Sequence, residues 1–126
     1  MNANTPYEIY GLFSEYFNSG TIDLLLTLYT DDAVLIPVAG QEARGKEAIR
    51  EALNGFLSLK GSFQIEPPTV VEANDTALVM AKWTLNGTSP TGEPVEIVGQ
   101  TSDVIRRQPE GSWLFVIDNP FGAQSA

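Results

Sequence analysis

The spacing of hydrophobic residues changes from a helical period to a strand period about halfway along the chain. A stripe at helical spacing follows the capping box Thr5-Pro6-Tyr7-Glu8, and Asn18-Ser19-Gly20 ends this first helix. The stripe consists of Ile9, Leu12, Phe13, Tyr16 and Phe17. A Leu-rich second helix is predicted over 21–29, followed by a turn at Thr30-Asp31-Asp32, and a third helix over 46–59.

The second half of the chain has the pattern of strands joined by tight turns. A first short strand is predicted earlier, over 33–38, where Pro37 closes it. After the third helix the strands are 63–66 and 69–73, separated by Pro67-Pro68, and then 76–87, 95–107 and 112–119. Asn74-Asp75 is predicted to be a tight turn. Three helices with one early strand, followed by an antiparallel meander, predict an α+β domain with helices on one sheet face.

Length and composition indicate one domain over 1–126. The chain has 126 residues, of which 43% are hydrophobic, enough for a real core. No apolar run approaches the roughly 20 residues of a membrane helix, and the N-terminal sequence does not have the pattern of a secretory signal. A cytoplasmic protein without membrane partners is therefore expected.

Charge and missing residue types narrow the chemistry. The chain has no cysteine and no histidine, so thiol nucleophiles, zinc–thiolate sites and a histidine base are excluded. Acid–base chemistry must use carboxylates, Lys, Tyr or water. The net charge of −9 disfavours nucleic acid as a partner. No cofactor is expected, and no metal, since the adjacent Asp31 and Asp32 are far short of an oxygen cage.

Several short motifs occur in an order that resembles a known family. They are Asn18-Ser19-Gly20, the segments 28–34 and 45–50, Ala73-Asn74-Asp75, Gly111-Ser112-Trp113 and the closing segment 118–122. Together they resemble the nuclear transport factor 2-like superfamily, which includes SnoaL-like and ketosteroid-isomerase-like domains. The resemblance implies a cone-shaped, curved antiparallel sheet with the three helices on its concave face, enclosing a pocket. It also implies a homodimer through the outer sheet face.

Four positions depart from the ketosteroid isomerase subgroup. That chemistry needs a carboxylate base and an oxyanion hole made by a Tyr and a protonated Asp. The resemblance aligns the helix-one Tyr with Phe13, the base with Ile36 and a supporting Tyr with Leu53. It aligns the protonated Asp near Ser102 or Val104. An apolar side chain cannot take a proton, so ketosteroid isomerase activity is not expected.

Strand parity predicts which side chains of the last two strands face the pocket. A two-residue turn at Pro109-Glu110 would pair Val104 with Phe115, Ser102 with Ile117 and Gln100 with Asn119, and the resemblance puts this set inward. A slip of one residue would exchange the two faces. The predicted pocket residues are Phe13, Phe17, Ile36, Leu53, Met80, Lys82, Gln100, Ser102, Val104, Ile117, Asn119 and Phe121.

Lys82 and Asp118 are the candidate catalytic residues. Lys82 interrupts an apolar strand, where it would anchor an anion or a carbonyl, or act in acid–base chemistry; alternatively it reaches water while Trp83 is buried. Asp118 and Asp103 would form an acid–base pair on the opposite face, or line a dimer interface, or pair with Arg106 or Arg107. Gln100, Ser102 and Asn119 would hydrogen-bond a ligand, or instead bond one another across the strands.

The sequence favours a binding module over an enzyme. Without His, Cys or the base of the isomerases, the pocket is expected to hold a small apolar or amphipathic ligand without catalysis. The alternative is a SnoaL-like isomerase, cyclase or dehydratase acting on a small carbonyl compound through Lys82 or Asp118. A pure interaction domain that assembles larger complexes is a third possibility.

Overall fold

The computed structural model describes residues 2–122 and contains three helices and seven strands. The helices and the first two strands are α1 (Glu8–Asn18), α2 (Ile22–Leu26), β1 (Tyr29–Leu35), β2 (Ala43–Arg44) and α3 (Lys46–Leu57). The remaining strands are β3 (Ser62–Ile65), β4 (Thr69–Ala73), β5 (Thr76–Thr88), β6 (Pro94–Arg107) and β7 (Trp113–Asp118).

The strands form one curved, mixed sheet against which the helices pack. Its order is β2-β1-β7-β6-β5-β3, and β4 also pairs with β5. All neighbours are antiparallel except β1 and β7, which are parallel. The expected α+β cone with helices on one face is therefore confirmed, and one parallel pair is added to the expected meander.

The boundary between α2 and β1 differs from the sequence expectation. The helix predicted over 21–29 ends at Leu26, and strand β1 already begins at Tyr29. Leu28 accepts a hydrogen bond from the backbone N–H of Phe115 at 2.8 Å, so pairing with β7 extends this segment. The turn predicted at Thr30-Asp31-Asp32 is a strand irregularity instead, because the β1–β7 register shifts between Tyr29 and Val34.

Two features correct the predicted register of β6 and β7. The turn is longer than expected, since Arg107 pairs with Trp113 and the loop between them spans residues 108–112. Further along, Val104 pairs with Ile117 but Ile105 pairs with Phe115, so Val116 is an extra residue in a β-bulge. The pairs predicted for Val104, Ser102 and Gln100 are therefore wrong, and Asp103 and Thr101 point to the concave face instead.

Aromatic rings fill the space between α1 and the sheet. Phe115 lies at the centre, with its ring centroid 5.2 Å from that of Tyr29 and 5.6 Å from that of Tyr10. Phe63 continues the cluster to Trp83, whose centroid is 5.7 Å away. Such ring pairs add to the stability from burial alone and give the core a defined geometry.

Gly99 makes room for Trp83, and an added methyl group there should destabilise the fold. A Cβ at position 99 would lie 2.7 Å from two atoms of the indole ring. Gly99→Ala is expected to lower the free energy of unfolding by about 1–3 kcal/mol, since overpacking forces neighbours out of place. Urea denaturation followed by tryptophan fluorescence measures the change.

Gly55→Ala is the matched control for this prediction. Gly55 lies in α3, and a Cβ there meets no atom within 4 Å. The same substitution should therefore raise stability by about 0.5–1 kcal/mol, because it removes backbone freedom from the unfolded chain. Equal effects of the two substitutions would contradict the role given to Gly99.

The helices of residues 2–122 are too short and too polar to span a bilayer; the longest, α3, has 12 residues. The cytoplasmic compartment stays a prediction from the sequence.

Candidate functional site

A small cavity lies between α1, α3 and the concave face of the sheet. Its volume is about 60 Å³. It is lined by Tyr10, Phe13, Phe17, Leu35, Leu53, Phe56, Phe63, Ile65, Trp83, Leu85, Thr101, Asp103, Phe115, Asp118 and Pro120. Apolar and aromatic side chains dominate this lining, and the carboxyl groups of Asp103 and Asp118 are the ionisable exceptions besides the Tyr10 phenol.

The β-bulge brings the two carboxyl groups together. Asp103 and Asp118 each lie one residue beyond the Val104–Ile117 pair, so they are neighbours across β6 and β7. In a regular strand Asp118 would point away from the face that Phe115 occupies; the extra residue Val116 turns it to the face on which Asp103 already lies. Asp103 is 1% exposed and Asp118 is 7% exposed, so the pair is buried.

Each carboxyl group accepts a hydrogen bond from its own buried tyrosine. The Tyr10 hydroxyl donates to Oδ2 of Asp103 at 2.5 Å, and the Tyr29 hydroxyl donates to Oδ2 of Asp118 at 2.5 Å. Burial raises the pKa of both phenols well above the ordinary value, and the neighbouring carboxylates raise it further. Both tyrosines therefore remain protonated hydrogen-bond donors throughout the neutral pH range.

The pKa values of both carboxyl groups are raised, and that of Asp118 is raised further. Burial raises the pKa of Asp118 well above its ordinary value, and the negative charge of Asp103 raises it further. Burial also raises the pKa of Asp103, but hydrogen bonds from Thr101, Tyr10, the Asn119 backbone and Asp118 oppose this effect. The Asn119 N–H donates to Oδ1 of Asp103 at 2.7 Å. These directions favour the negative charge on Asp103 and the proton on Asp118.

Some of the predicted pocket residues line this cavity and others do not. Phe13, Phe17 and Leu53 are in the lining, together with the candidate Asp118. Asn119 contributes its backbone N–H to Asp103 rather than its side chain, whose amide donates to the Gly122 carbonyl. Phe121 lies outside the lining and packs against Trp83 with ring centroids 5.5 Å apart.

The other predicted residues lie away from the cavity. Ile36 follows the end of β1, where its N–H donates to the Asp118 carbonyl at 2.9 Å. The register shift exchanges the two faces of β6, and the residues of β5 and β7 that pair with that face of β6 lie on the same side. The predicted residues on this outer face are Met80, Lys82, Gln100, Ser102, Val104 and Ile117. Lys82 is exposed while Trp83 is buried, which matches the alternative interpretation of that segment. Lys82 therefore does not reach the carboxyl pair.

Sequence reasoning missed the two tyrosines. Tyr10 precedes Phe13 by three residues and Phe17 by seven, so helical spacing alone places these three on one face. The alignment had matched the tyrosine of the isomerases to Phe13 and the buried acid to Ser102 or Val104. The Tyr–Asp hydrogen bond is instead between Tyr10 and Asp103. Tyr29 carried no such signal, because it was assigned to a helix that ends earlier.

A metal site is not formed by the described residues: within 2–122, no group of three or more acidic side chains is arranged to hold an ion. The carboxyl pair has its tyrosine, backbone and hydroxyl donors as partners instead.

The curved sheet and the three helices form a nuclear transport factor 2-like α+β cone. Within this class the chain belongs to the SnoaL-like domain family, whose model matches residues 11–114. No curated protein sequence matches the chain.

Solved structures with the same fold have low sequence identity to this chain. A nuclear transport factor 2-like superfamily protein from Salmonella enterica serovar Typhimurium superposes with a TM-score of 0.81 at 16% identity, covering 95% of this chain and 90% of that one. A candidate calcium/calmodulin-dependent protein kinase II association domain from Xanthomonas campestris gives 0.78 at 21%, covering 94% and 85%. A candidate dehydratase of this family from Streptomyces avermitilis gives 0.78 at 16%, covering 94% of each chain.

Proposed function

We propose that this chain is an acid–base enzyme that removes a proton next to the carbonyl group of a small, mainly apolar compound. The observation that supports the proposal is the buried Asp103–Asp118 pair at the wall of an apolar cavity. Buried carboxyl groups with raised pKa values cost folding stability, and such arrangements are concentrated at active sites. The pair favours catalysis over the simple binding that the sequence alone favours.

The two carboxyl groups have complementary roles in the proposed reaction. The Asp118 O–H donates its hydrogen bond to the substrate carbonyl oxygen instead of to Asp103. The Asp103 carboxylate takes a proton from the neighbouring carbon, the C–H electron pair forms a carbon–carbon double bond, and the carbonyl π pair moves to oxygen. Asp118 transfers its proton to that oxygen and so removes the negative charge. Return of the proton from Asp103 to another carbon gives an isomerase. A β-hydroxyl group that takes this proton and leaves as water gives a dehydratase.

The tyrosines keep this pair in position. The bond from Tyr10 to Asp103 and the bond from Tyr29 to Asp118 tie the carboxyl groups to α1 and β1. A base held in this way approaches the substrate in one orientation, which supplies part of the rate enhancement. Steroid isomerisation is outside the proposal, because Ile36 has no carboxyl group and a cavity of about 60 Å³ does not hold four fused rings.

Hydrogen exchange in D₂O tests the proposal without knowledge of the natural substrate. The protein is incubated with small enolisable ketones and aldehydes, including 3-methyl-2-butanone, and deuterium incorporation is measured by NMR. The expected result is exchange next to the carbonyl well above the buffer rate. A compound that binds in the cavity but exchanges no faster than in buffer would support the binding module instead, which the mainly apolar lining also suits.

We also propose that the chain forms the expected homodimer. An apolar row of side chains on the outer sheet face supports it. Val71, Leu78, Val104 and Ile117 lie opposite one another on four neighbouring strands. Val71, Leu78 and Ile117 are between 38% and 55% exposed. A second copy of this chain would cover the row with the same row, as a two-fold interface requires.

A charge in this row should therefore prevent dimer formation. Leu78→Arg is expected to give a monomer by size-exclusion chromatography with light scattering, while the parent chain gives a dimer. Val38→Arg is the control, since Val38 is 47% exposed and lies after β1, outside the row. A parent chain that is strictly monomeric would refute the homodimer, and a larger mass would favour a higher assembly.

A further inference from the structure

We infer that the cavity takes an uncharged molecule with one polar end and rejects carboxylate and phosphate compounds. This rests on the proposed function, because it concerns the same cavity, and it adds the charge and polarity of the substrate. The argument begins with the position of every positive charge in the chain.

All the basic side chains of the chain lie outside the cavity lining. There are seven of them and no histidine. Five are paired with acids at the surface, as Arg44–Glu42, Lys46–Asp31, Arg50–Asp23, Arg106–Asp32 and Arg107–Asp75. The other two, Lys60 and Lys82, are exposed. An anionic ligand in the cavity would find no counter-charge among its lining residues.

The carboxyl pair makes an anion still less favourable. Asp103 carries the negative charge and is buried, so a ligand carboxylate beside it would meet a like charge where water does not screen it. Coulomb repulsion between two unit charges a few ångströms apart near a protein surface corresponds to about 100-fold or more in affinity. Only a ligand that arrived protonated would avoid this penalty.

A cationic ligand is disfavoured because the mainly apolar lining does not replace the water that surrounds its charge. Oδ2 of Asp103 accepts from Tyr10, and Oδ1 accepts from the backbone N–H of Asn119. An ammonium group has three N–H donors, and the remaining lone pairs of Asp103 would accept only part of them. The group that the pair can turn toward a ligand is the acid proton of Asp118, which requires an acceptor such as a carbonyl oxygen.

The other hydrogen-bonding side chains of the lining, Thr101 and Trp83, already donate to backbone carbonyl groups. The Trp83 indole N–H, the most prominent donor of the aromatic wall, is already bonded to the Pro120 carbonyl at 2.7 Å. Phe13, Phe63 and Phe115 present hydrocarbon. The volume of about 60 Å³ is well below that of an apolar cavity of about 150 Å³ that holds benzene. The substrate is therefore a short aliphatic carbonyl compound, or the aromatic rings move apart for a larger one.

Three compounds with the same branched shape and the same number of non-hydrogen atoms test the charge preference. They are 3-methyl-2-butanone, isobutyrate and 3-methyl-2-butylammonium, which are neutral, anionic and cationic. Each is titrated into the parent chain at neutral pH, and the NMR signal of the Trp83 indole N–H reports occupancy of the cavity. We expect the ketone to bind and isobutyrate to bind about 100-fold more weakly. The ammonium compound is also expected to bind more weakly than the ketone, because the apolar lining does not replace its water. Acetophenone and benzoate repeat the neutral and anionic comparison at a larger size.

A cation placed at the cavity should reverse the preference. Phe56 is a half-buried lining residue, so Phe56→Arg is expected to improve isobutyrate binding and weaken ketone binding. Ser58→Arg adds the same charge at an exposed position just after α3 and should leave both affinities as in the parent.

The outcomes separate this inference from the proposed function. Isobutyrate or the ammonium compound binding as tightly as the ketone overturns the inference, even if the ketone exchanges deuterium. A ketone that binds selectively without exchange leaves the inference intact and refutes the enzyme. If neither 3-methyl-2-butanone nor acetophenone shifts the Trp83 signal, the inference is wrong.

Discussion

Asp118→Asn is expected to lower the rate of deuterium exchange into a bound ketone by about 10²–10⁴-fold, the usual contribution of a positioned acid or base. The amide oxygen still accepts from Tyr29, and the amide N–H₂ still donates to Asp103. The hydrogen bonds are therefore kept, while the group loses the proton that it would give to the substrate oxygen. The exchange assay in D₂O measures the rate, and NMR of the Trp83 indole measures binding.

Asp31→Asn is the matched control for this substitution. The Asp31 side chain is fully exposed and forms only a 3.5 Å ion pair with Lys46, so it should keep the parent rate. A variant at Asp118 that binds the ketone and retains most of the exchange rate would show that Asp118 is not the acid. Loss of binding together with loss of exchange would instead point to a disturbed cavity, which the Trp83 signal detects.

The buried carboxyl pair should also make the protein more stable in mild acid than at alkaline pH. The pKa values of Asp103 and Asp118 are both raised in the folded state, chiefly by burial. Between the unfolded and folded pKa values the folded state then binds more protons, so stability falls as pH rises. The contribution is fully present below the ordinary carboxyl pKa and is lost as pH rises through the folded values.

A comparison of Asp118→Asn with the parent separates the effect of the buried pair on stability from the effect of the net charge of the chain. At about pH 8 the variant is expected to be more stable than the parent by on the order of 1–3 kcal/mol, because Asp118 must gain a proton or bury its charge when the parent folds. At about pH 4 the difference should shrink, since Asp118 of the unfolded parent is then partly protonated as well. Urea denaturation at several pH values measures both.

The control for the pH effect is again Asp31→Asn. The chain has a net charge of −9, so removing any acid reduces repulsion within the folded protein. Asp31→Asn removes one such charge at the surface and should change stability only slightly and with little pH dependence. If the stability of the two variants depends on pH in the same way, ionisation of the buried pair costs no more folding stability than ionisation of a surface carboxyl group. The proton assignment to Asp118 is then wrong.

The general fold was predictable because its signals are local. The stripe of α1 and the Asn74 turn each depend on a few neighbouring residues. The helix start predicted from the capping box at Thr5 is wrong, because α1 begins at Glu8 and its N-cap is Tyr7, without a side-chain cap. Asn74 has φ +57°, and Ala73 pairs with Thr76 across a two-residue turn. The family was predictable from the order of these elements together with short motifs, and the SnoaL-like match confirms it. Part of the pocket, at Phe13, Phe17 and Leu53, came from the same helical periodicity.

The carboxyl pair was harder to recognise because it depends on contacts between distant parts of the chain. Tyr10 and Asp103 are separated by 93 positions, and Tyr29 and Asp118 by 89. Strand parity placed Asp103 and Asp118 on the face opposite the predicted pocket residues. Because side chains alternate between the two faces of a strand, an error of one residue in the register reverses the face of every side chain. The preference for a binding module came from the absence of His and Cys and from Ile36 at the position of the base, and the reversed faces kept Asp103 and Asp118 out of the expected pocket.

The amino-acid sequence by itself determined the helices, the meander, the absence of histidine and cysteine, and the apolar character of the cavity, because these follow from residue type and local spacing. The tertiary structure decided which polar groups the cavity contains. The long turn at 108–112 and the extra residue Val116 set the register, and the register turns Asp103 and Asp118 inward. Their raised pKa values arise from burial and from each other, and neither exists until strands and helices distant along the chain have packed together.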